Sequence, residues 1–127
     1  MPKRAAQVPE AEFAVLDVLW NVGVQTAREI TERLYPRCMP ADVATVQKLL
    51  QRLEDKGYVR RDRRERVHLF VAAMPRKDFA GQQLSQLAEK LSGGSLTPLL
   101  VHLVESNRLS RRELDELRTL LENRKRR

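Results

Sequence analysis

Asp42-Val43-Ala44-Thr45-Val46-Gln47-Lys48-Leu49-Leu50-Gln51-Arg52-Leu53-Glu54-Asp55-Lys56-Gly57 is the stretch on which the reading of this chain turns. Val43, Val46, Leu50 and Leu53 recur at the spacing of one α-helical face. Asp42 has the side-chain oxygens of an N-cap, and Gly57 can take the left-handed conformation that ends a helix. With the apolar stripe inward, Ala44, Thr45, Gln47, Lys48, Gln51 and Arg52 face outward, and no acid interrupts them before Glu54. A face that is small at its start and hydrogen-bonding in its middle suits a DNA major groove. It also suits an ordinary solvated helix, so the flanking segments have to decide.

Upstream, Pro9 fits a first helical turn, and Glu10 and Glu12 sit where the helix dipole favours acids. Phe13, Leu16, Leu19 and Trp20 mark an apolar face, and residues 21–23 end that helix. Val24-Gln25 reads as a brief extended piece. Thr26-Ala27-Arg28-Glu29 is a capping box opening a helix with Ala27, Ile30 and Leu34 inward, stopped before Pro36. Cys38 reads as a loop residue without chemistry, because no second Cys or His stands at metal-ligand spacing.

Downstream the period changes from helical to two. Residues 58–61 and 66–71 are strand candidates joined by 62–65. Between Lys56 and Arg66 there are six bases and two acids. A charged hairpin beside a helix-turn-helix pattern is the outline of a wing, and Arg61, Arg63, Arg64 and Arg66 become candidates for phosphate contact. Thr26, Arg28, Gln51 and Arg52 join them as phosphate anchors. Ala44, Thr45, Gln47 and Lys48 are the base-reading candidates, since Gln can pair with adenine and Lys with guanine.

The second half is Leu-rich and nearly neutral. Residues 78–91 read as a helix with Phe79, Leu84, Leu87 and Leu91 inward, interrupted by Gly93-Gly94. Ser95 or Thr97 then caps a helix carrying Leu99, Leu100, Leu103 and Val104. Ser110-Arg111-Arg112-Glu113 is a second capping box, opening a helix with Leu114, Leu117, Leu120 and Leu121. These stripes exceed what short helices can bury against each other, so a second copy is expected to cover them in a C2 dimer. A monomeric helical cap on the first domain is the alternative. Four segments result: a basic arm at 1–8, a winged helix-turn-helix domain at 9–74, a helical dimerisation domain at 75–123 and a basic tail at 124–127. The fold class is mainly α with a small antiparallel β wing, followed by C-terminal dimerisation helices.

Composition agrees. The 127 residues hold 24 Lys plus Arg against 17 Asp plus Glu, a net charge of +7, which favours a polyanionic partner. One cysteine excludes an intrachain disulfide and suits a reducing compartment. No apolar run reaches membrane-span length and no signal peptide is evident, so a cytoplasmic protein without a membrane partner is expected. His68 and His102 lack a partnered Ser, Cys or carboxylate, and no glycine-rich phosphate loop is present. Neither an enzyme nor a cofactor or metal site is expected.

The segments 12–20, 26–30 and 45–53 followed by Lys56-Gly57 together resemble the penicillinase-repressor family of bacterial winged-helix regulators, which includes the methicillin-resistance repressors. Gly93-Gly94-Ser95-Leu96, Val104-Glu105-Ser106, Leu109-Ser110 and Glu113-Leu114 look like that family's dimerisation segment. The resemblance implies a homodimeric repressor on an inverted-repeat operator in double-stranded DNA, with Ala44, Thr45, Gln47 and Lys48 at the groove. It departs from the family at Ala44-Thr45, where paired threonines are common, at Gln47-Lys48, where a Lys-Thr pair is, and at the wing tip, which lacks the usual glycine. Drug-responsive members are cut between an Asn and a Phe in the dimerisation helix by a route that implies a sensor-protease partner. The matching bond here is His102–Leu103, which carries neither residue. Copper-responsive relatives use clustered C-terminal cysteines, and this chain has none there. The competing function class is a winged-helix protein-interaction module with only non-specific DNA affinity.

Overall fold

The computed structural model describes residues 7–126. Its elements run α1 (Glu10–Val22), α2 (Ala27–Leu34), α3 (Pro40–Asp55), β1 (Val59–Asp62), β2 (Leu69–Ala72), α4 (Arg76–Ser92), α5 (Thr97–Glu105) and α6 (Arg111–Lys125). The chain divides into two compact units, one up to Gln83 and one from Leu84 onward, so the first turns of α4 belong to the first unit.

In the first unit, α1, α2 and α3 enclose a core closed by the hairpin. Val15, Leu16 and Leu19 of α1, Ile30 of α2, and Val46, Leu49, Leu50 and Leu53 of α3 are buried with Tyr58, Val59, Phe70 and Phe79. The stripe on α3 therefore gains Leu49, while Val43 is only half-buried. On α1, Val15 takes the inward place expected of Phe13, which is 39% exposed. Trp20 is partly buried, and its indole N–H donates to the Met74 carbonyl at 2.9 Å, satisfying the ring's polar edge.

Helix α3 starts at Pro40, two residues before the expected cap. Pro40 fits a first turn because its missing N–H has no partner there in any case. Asp42 consequently sits inside the first turn, and its carboxylate accepts from the Met39 N–H at 3.0 Å. At the other end Gly57 adopts φ 86°, and the Tyr58 N–H reaches the Leu53 carbonyl while that of Gly57 reaches Glu54. This paired return satisfies carbonyls that the helix end would otherwise strand.

The strands pair antiparallel, with Val59 opposite Ala72, Arg61 opposite Phe70 and Asp62 opposite Leu69. Gln25 pairs with Phe70 on the other edge of β2, through N–H to carbonyl contacts of 3.1 and 2.7 Å, as the short extended piece expected there. The strands are offset from the expected 58–61 and 66–71, and the loop between them is six residues, 63–68, rather than four. A tight two-residue turn needs φ > 0, and none of these six residues adopts it.

In the second unit, Gly93 and Gly94 (φ 64° and 96°) end α4. Ala88 is buried and Leu99 half-buried, but Leu84, Leu87 and Leu91, expected inward, are 44%, 46% and 60% exposed. The stripe is present, but among the described residues it is left largely uncovered. Helix α5 begins at Thr97 without a side-chain cap, so neither Ser95 nor Thr97 performs the expected role. Ser110 and Glu113 cap α6 reciprocally as expected, at 3.1 and 3.0 Å. Arg124 and Lys125, read as tail, lie in the last turn of α6, where the dipole favours cations. Arg127 lies outside the described residues.

Of the expected arm, residues 1–6 also lie outside the described residues, and Val8 packs against the core. Glu12 lies in the first turn of α1, where the dipole favours an acid, and is also buried in an ion pair with Lys56 at 2.5 Å, while the same ammonium donates to the Gln7 carbonyl at 2.8 Å. This pair ties the end of α3 to the start of α1. Removing the cation would strand a buried carboxylate, so Lys56→Ala should destabilise by about 3 kcal/mol, the low end for a buried pair because Lys56 is partly exposed. Adding Glu12→Gln should restore part of that loss, as read from urea melts.

Candidate nucleic-acid interface

Because Val46, Leu50 and Leu53 are completely buried, the opposite face of α3 must meet solvent. Ala44, Thr45, Gln47, Lys48, Gln51 and Arg52 are all exposed. The Thr45 hydroxyl donates back to the Ala41 carbonyl at 3.0 Å, leaving its oxygen lone pairs outward. The side chains of Gln47, Lys48 and Arg52 make no hydrogen bond or ion pair among the described residues.

Alongside that face runs an open groove of about 530 Å³, bounded by the start of α2, by α3 and by the wing. Thr26, Arg28, Gln47, Gln51, Arg61 and Arg66, all anticipated from sequence, meet there. Ala27, Val43, Val67, His68 and Phe70 also line it and were not anticipated as site residues. Val67 was legible in principle, as an apolar residue set among arginines; it is 60% exposed. The groove is thus lined by cationic and hydrogen-bonding side chains together with apolar ones.

At its α2 edge, Glu29 and Thr26 cap each other at 3.0 and 3.1 Å. The hydrogen bonds from the Thr26 backbone and side chain hold the Glu29 carboxyl below its ordinary range. The Thr26 hydroxyl oxygen accepts from the Glu29 backbone N–H. Arg28 pairs with Glu32 at 3.2 Å, but both side chains are more than half exposed and the pair is readily exchanged.

The wing arginines differ from one another. Arg61 is mostly buried, pairs with Glu54 at 3.1 Å and donates to the Gln51 side-chain oxygen at 3.1 Å. Arg63 reaches the other Glu54 oxygen at 3.2 Å. Arg64 folds back on Asp62, whose carboxylate accepts from its backbone N–H at 3.0 Å and its guanidinium at 2.7 Å. Arg66 is exposed and makes no such pair among the described residues. The wing tip is therefore shaped by the Asp62–Arg64 clasp where a glycine turn is absent.

Residues 8–123 match the family model described as penicillinase repressor. The chain belongs to that family. Similar proteins include the penicillinase repressor of Staphylococcus aureus, 23% identical across 95% of both chains. The methicillin resistance regulatory protein MecI of Staphylococcus aureus (strain N315) is 24% identical over 95% of this chain and 98% of its own. The transcriptional regulator BlaI of Mycobacterium tuberculosis is 35% identical over 93% and 85% respectively. These matches run through both units, and the relatives are named as repressors and transcriptional regulators. Transcription regulation is accordingly the class of function.

The remaining residues singled out from sequence lie in the second unit. Leu100, Leu103, Val104, Leu114, Leu117 and Leu121 are exposed on α5 and α6, with Leu99 half-buried. His102 and Leu103, expected from the resemblance to match the cleavage bond, lie inside α5 and are both exposed. Among the described residues no helix is long and apolar enough to cross a membrane, and no group of three or more His, Cys, Asp or Glu could hold a metal ion.

The Asp62 clasp has a pH signature. Side-chain and then backbone hydrogen bonding from Arg64 lower its carboxyl from 3.8 to about 2. With a depressed folded value, the clasp's contribution is full above the unfolded value of 3.8 and is lost as pH falls through about 2. A carboxyl-carbon NMR titration should place the Asp62 midpoint near the lower value, and Arg64→Ala should move it upward.

Proposed function

We propose that this chain is a dimeric, sequence-specific DNA-binding repressor that recognises an inverted-repeat operator. The observation that carries this reading is the exposed face of α3, with Gln47, Lys48 and Arg52 uncommitted beside the groove that α2 and the wing border. In this reading α3 enters a major groove, where Thr45, Gln47 and Lys48 meet base edges and Ala44 allows close approach. Thr26, Arg28, Arg52 and the exposed wing arginines Arg63 and Arg66 meet phosphates on either side, supplying affinity without sequence preference. Family membership supports the repressor role, and the relatives' names as repressors agree with it.

Dimerisation is supported by the second unit, where apolar side chains along α4, α5 and α6 stand exposed in a single chain. Such a surface is stable in water only when covered, and a second copy covers it with its own equivalent face. Two α3 helices about 34 Å apart would then meet successive major grooves on one side of the duplex. The basis of release, including whether a sensor-protease cuts at His102–Leu103, is a separate matter from this recognition. A bond inside α5 becomes a protease substrate only after local unwinding, which an exposed short helix permits.

Lys48→Ala should cost about 1–3 kcal/mol against the preferred duplex and relax the preference at one base. Titrations against preferred and scrambled duplex check this; equal loss on both refutes base reading by Lys48. A selection from random duplexes that returns no palindrome would instead favour the protein-interaction module. Leu103→Asp and Leu117→Asp should sediment as monomers with much weaker operator binding, and variants that stay dimeric would place the dimer contact elsewhere.

A further inference from the structure

One of the wing's cations is built into the protomer rather than offered to solvent. Arg61 stands on β1 directly opposite Phe70 on β2, and its guanidinium carbon lies 4.9 Å from the centroid of that ring. From there it donates to Gln51 and pairs with Glu54, each at 3.1 Å, with its side chain only 17% exposed. Its Nε is buried and finds no partner. Gln51 in turn donates through its amide nitrogen to Asp55 at 2.9 Å, so both ends of that amide are engaged.

A guanidinium that grips a backbone phosphate must turn donors toward solvent, as the exposed Arg66 can. Arg61 turns one guanidinium nitrogen, Nη2, onto both Glu54 and Gln51 of α3 and lies over an aromatic ring, a geometry for which its planar guanidinium is better suited than the strongly hydrated, flexible ammonium of lysine. Its partner Glu54 is itself only 19% exposed, so the pair is weakly screened and not easily exchanged for a phosphate.

We infer that Arg61 is a positioning residue: it sets the orientation of the Gln51 amide and the spacing between wing and α3, while phosphate contact in the wing falls to Arg66 and Arg63. The network stands on geometry alone; its consequence for binding rests on the DNA-binding reading. Gln51 thereby becomes an oriented group at the base-reading surface, held as an N–H donor and carbonyl acceptor in one fixed sense, rather than a loose phosphate contact.

The test uses the full chain and its Arg61→Lys, Arg61→Ala and Arg66→Ala variants. The probes are the duplex the wild type prefers from a random pool and a scrambled duplex, titrated over a salt series. Arg66→Ala should weaken both alike and reduce the salt slope by about one. Arg61→Lys, which keeps the charge, should lower the preferred-to-scrambled ratio roughly tenfold with the slope unchanged, equivalent to about 1.4 kcal/mol. Arg61→Ala should do the same. A slope reduced by about one in Arg61→Ala, with the ratio preserved, would make Arg61 a phosphate ligand and overturn the inference.

A second readout needs no DNA. The side-chain amide resonances of Gln51 should shift, and the amides of 63–68 should lose order, in Arg61→Lys but not in Arg66→Ala. Unmoved Gln51 signals in Arg61→Lys overturn the inference as well. If the wild type prefers no duplex, the proposed function falls, and the resonances still decide the role of Arg61.

Discussion

The rotation of α3 about its own axis is the constraint from which the rest follows. Val46, Leu50 and Leu53 are fully buried and Leu49 nearly so, and burying each such side chain is worth about 1.5–3 kcal/mol. Turning the helix by one residue, about 100°, would bring Lys48 or Arg52 toward the core in place of a leucine. No surface interaction of these residues offsets that cost. The outward direction of Thr45, Gln47 and Lys48 is thus enforced from inside, and the lock between Glu12 and Lys56 adds a fixed end to the same helix. A recognition surface made this way is preorganised, since its orientation is set before any partner arrives.

The net charge of +7 overstates how much of it is available beside α3. Arg61 and Arg63 share Glu54, Arg64 is answered by Asp62, and Arg60 donates to the Ala73 carbonyl at 3.1 Å. These arrangements are not equivalent. The side chains of Arg63 and Arg64 are 59% and 87% exposed, so their pairs are worth little and a phosphate could replace the carboxylate. Arg61 is held on several sides in a weakly screened place. The hairpin therefore combines one cation that shapes the surface with others that can respond to a polyanion.

Local signals were the ones most readily legible in the sequence. The capping boxes at Thr26 and Ser110 operate over three residues, and the glycines at 23 and 57 act on their own backbone, so each was readable without knowing the fold. The start of α3 was misplaced because Pro40 and Asp42 are both N-terminal signals, and the acid works equally well inside the first turn. The burial of Glu12 was hidden because its partner lies 44 residues away. The side chains expected to face outward on α3 do so, but the part of the groove lined by Val43, Val67 and Phe70 depends on how the wing lies against α3, and the loop length was not encoded by a turn motif. For Leu84, Leu87 and Leu91, periodicity identified an apolar face and could not name what covers it.

That uncovered face bears on the proposed recognition. On each α3 the uncommitted cations are Lys48 and Arg52, joined by Arg66 from the wing, a small set for holding a duplex at physiological salt. A single protomer relying on these contacts and on a few base edges would bind weakly and dissociate fast. Coupling two protomers turns the second binding event into an intramolecular one, and affinity then rises by orders of magnitude without any new contact. The leucines exposed on α5 and α6 are the feature that would provide this coupling. Under this reading repression depends on the stability of the second unit's interface as much as on the residues at the groove, and anything that weakens that interface relieves repression while leaving α3 intact.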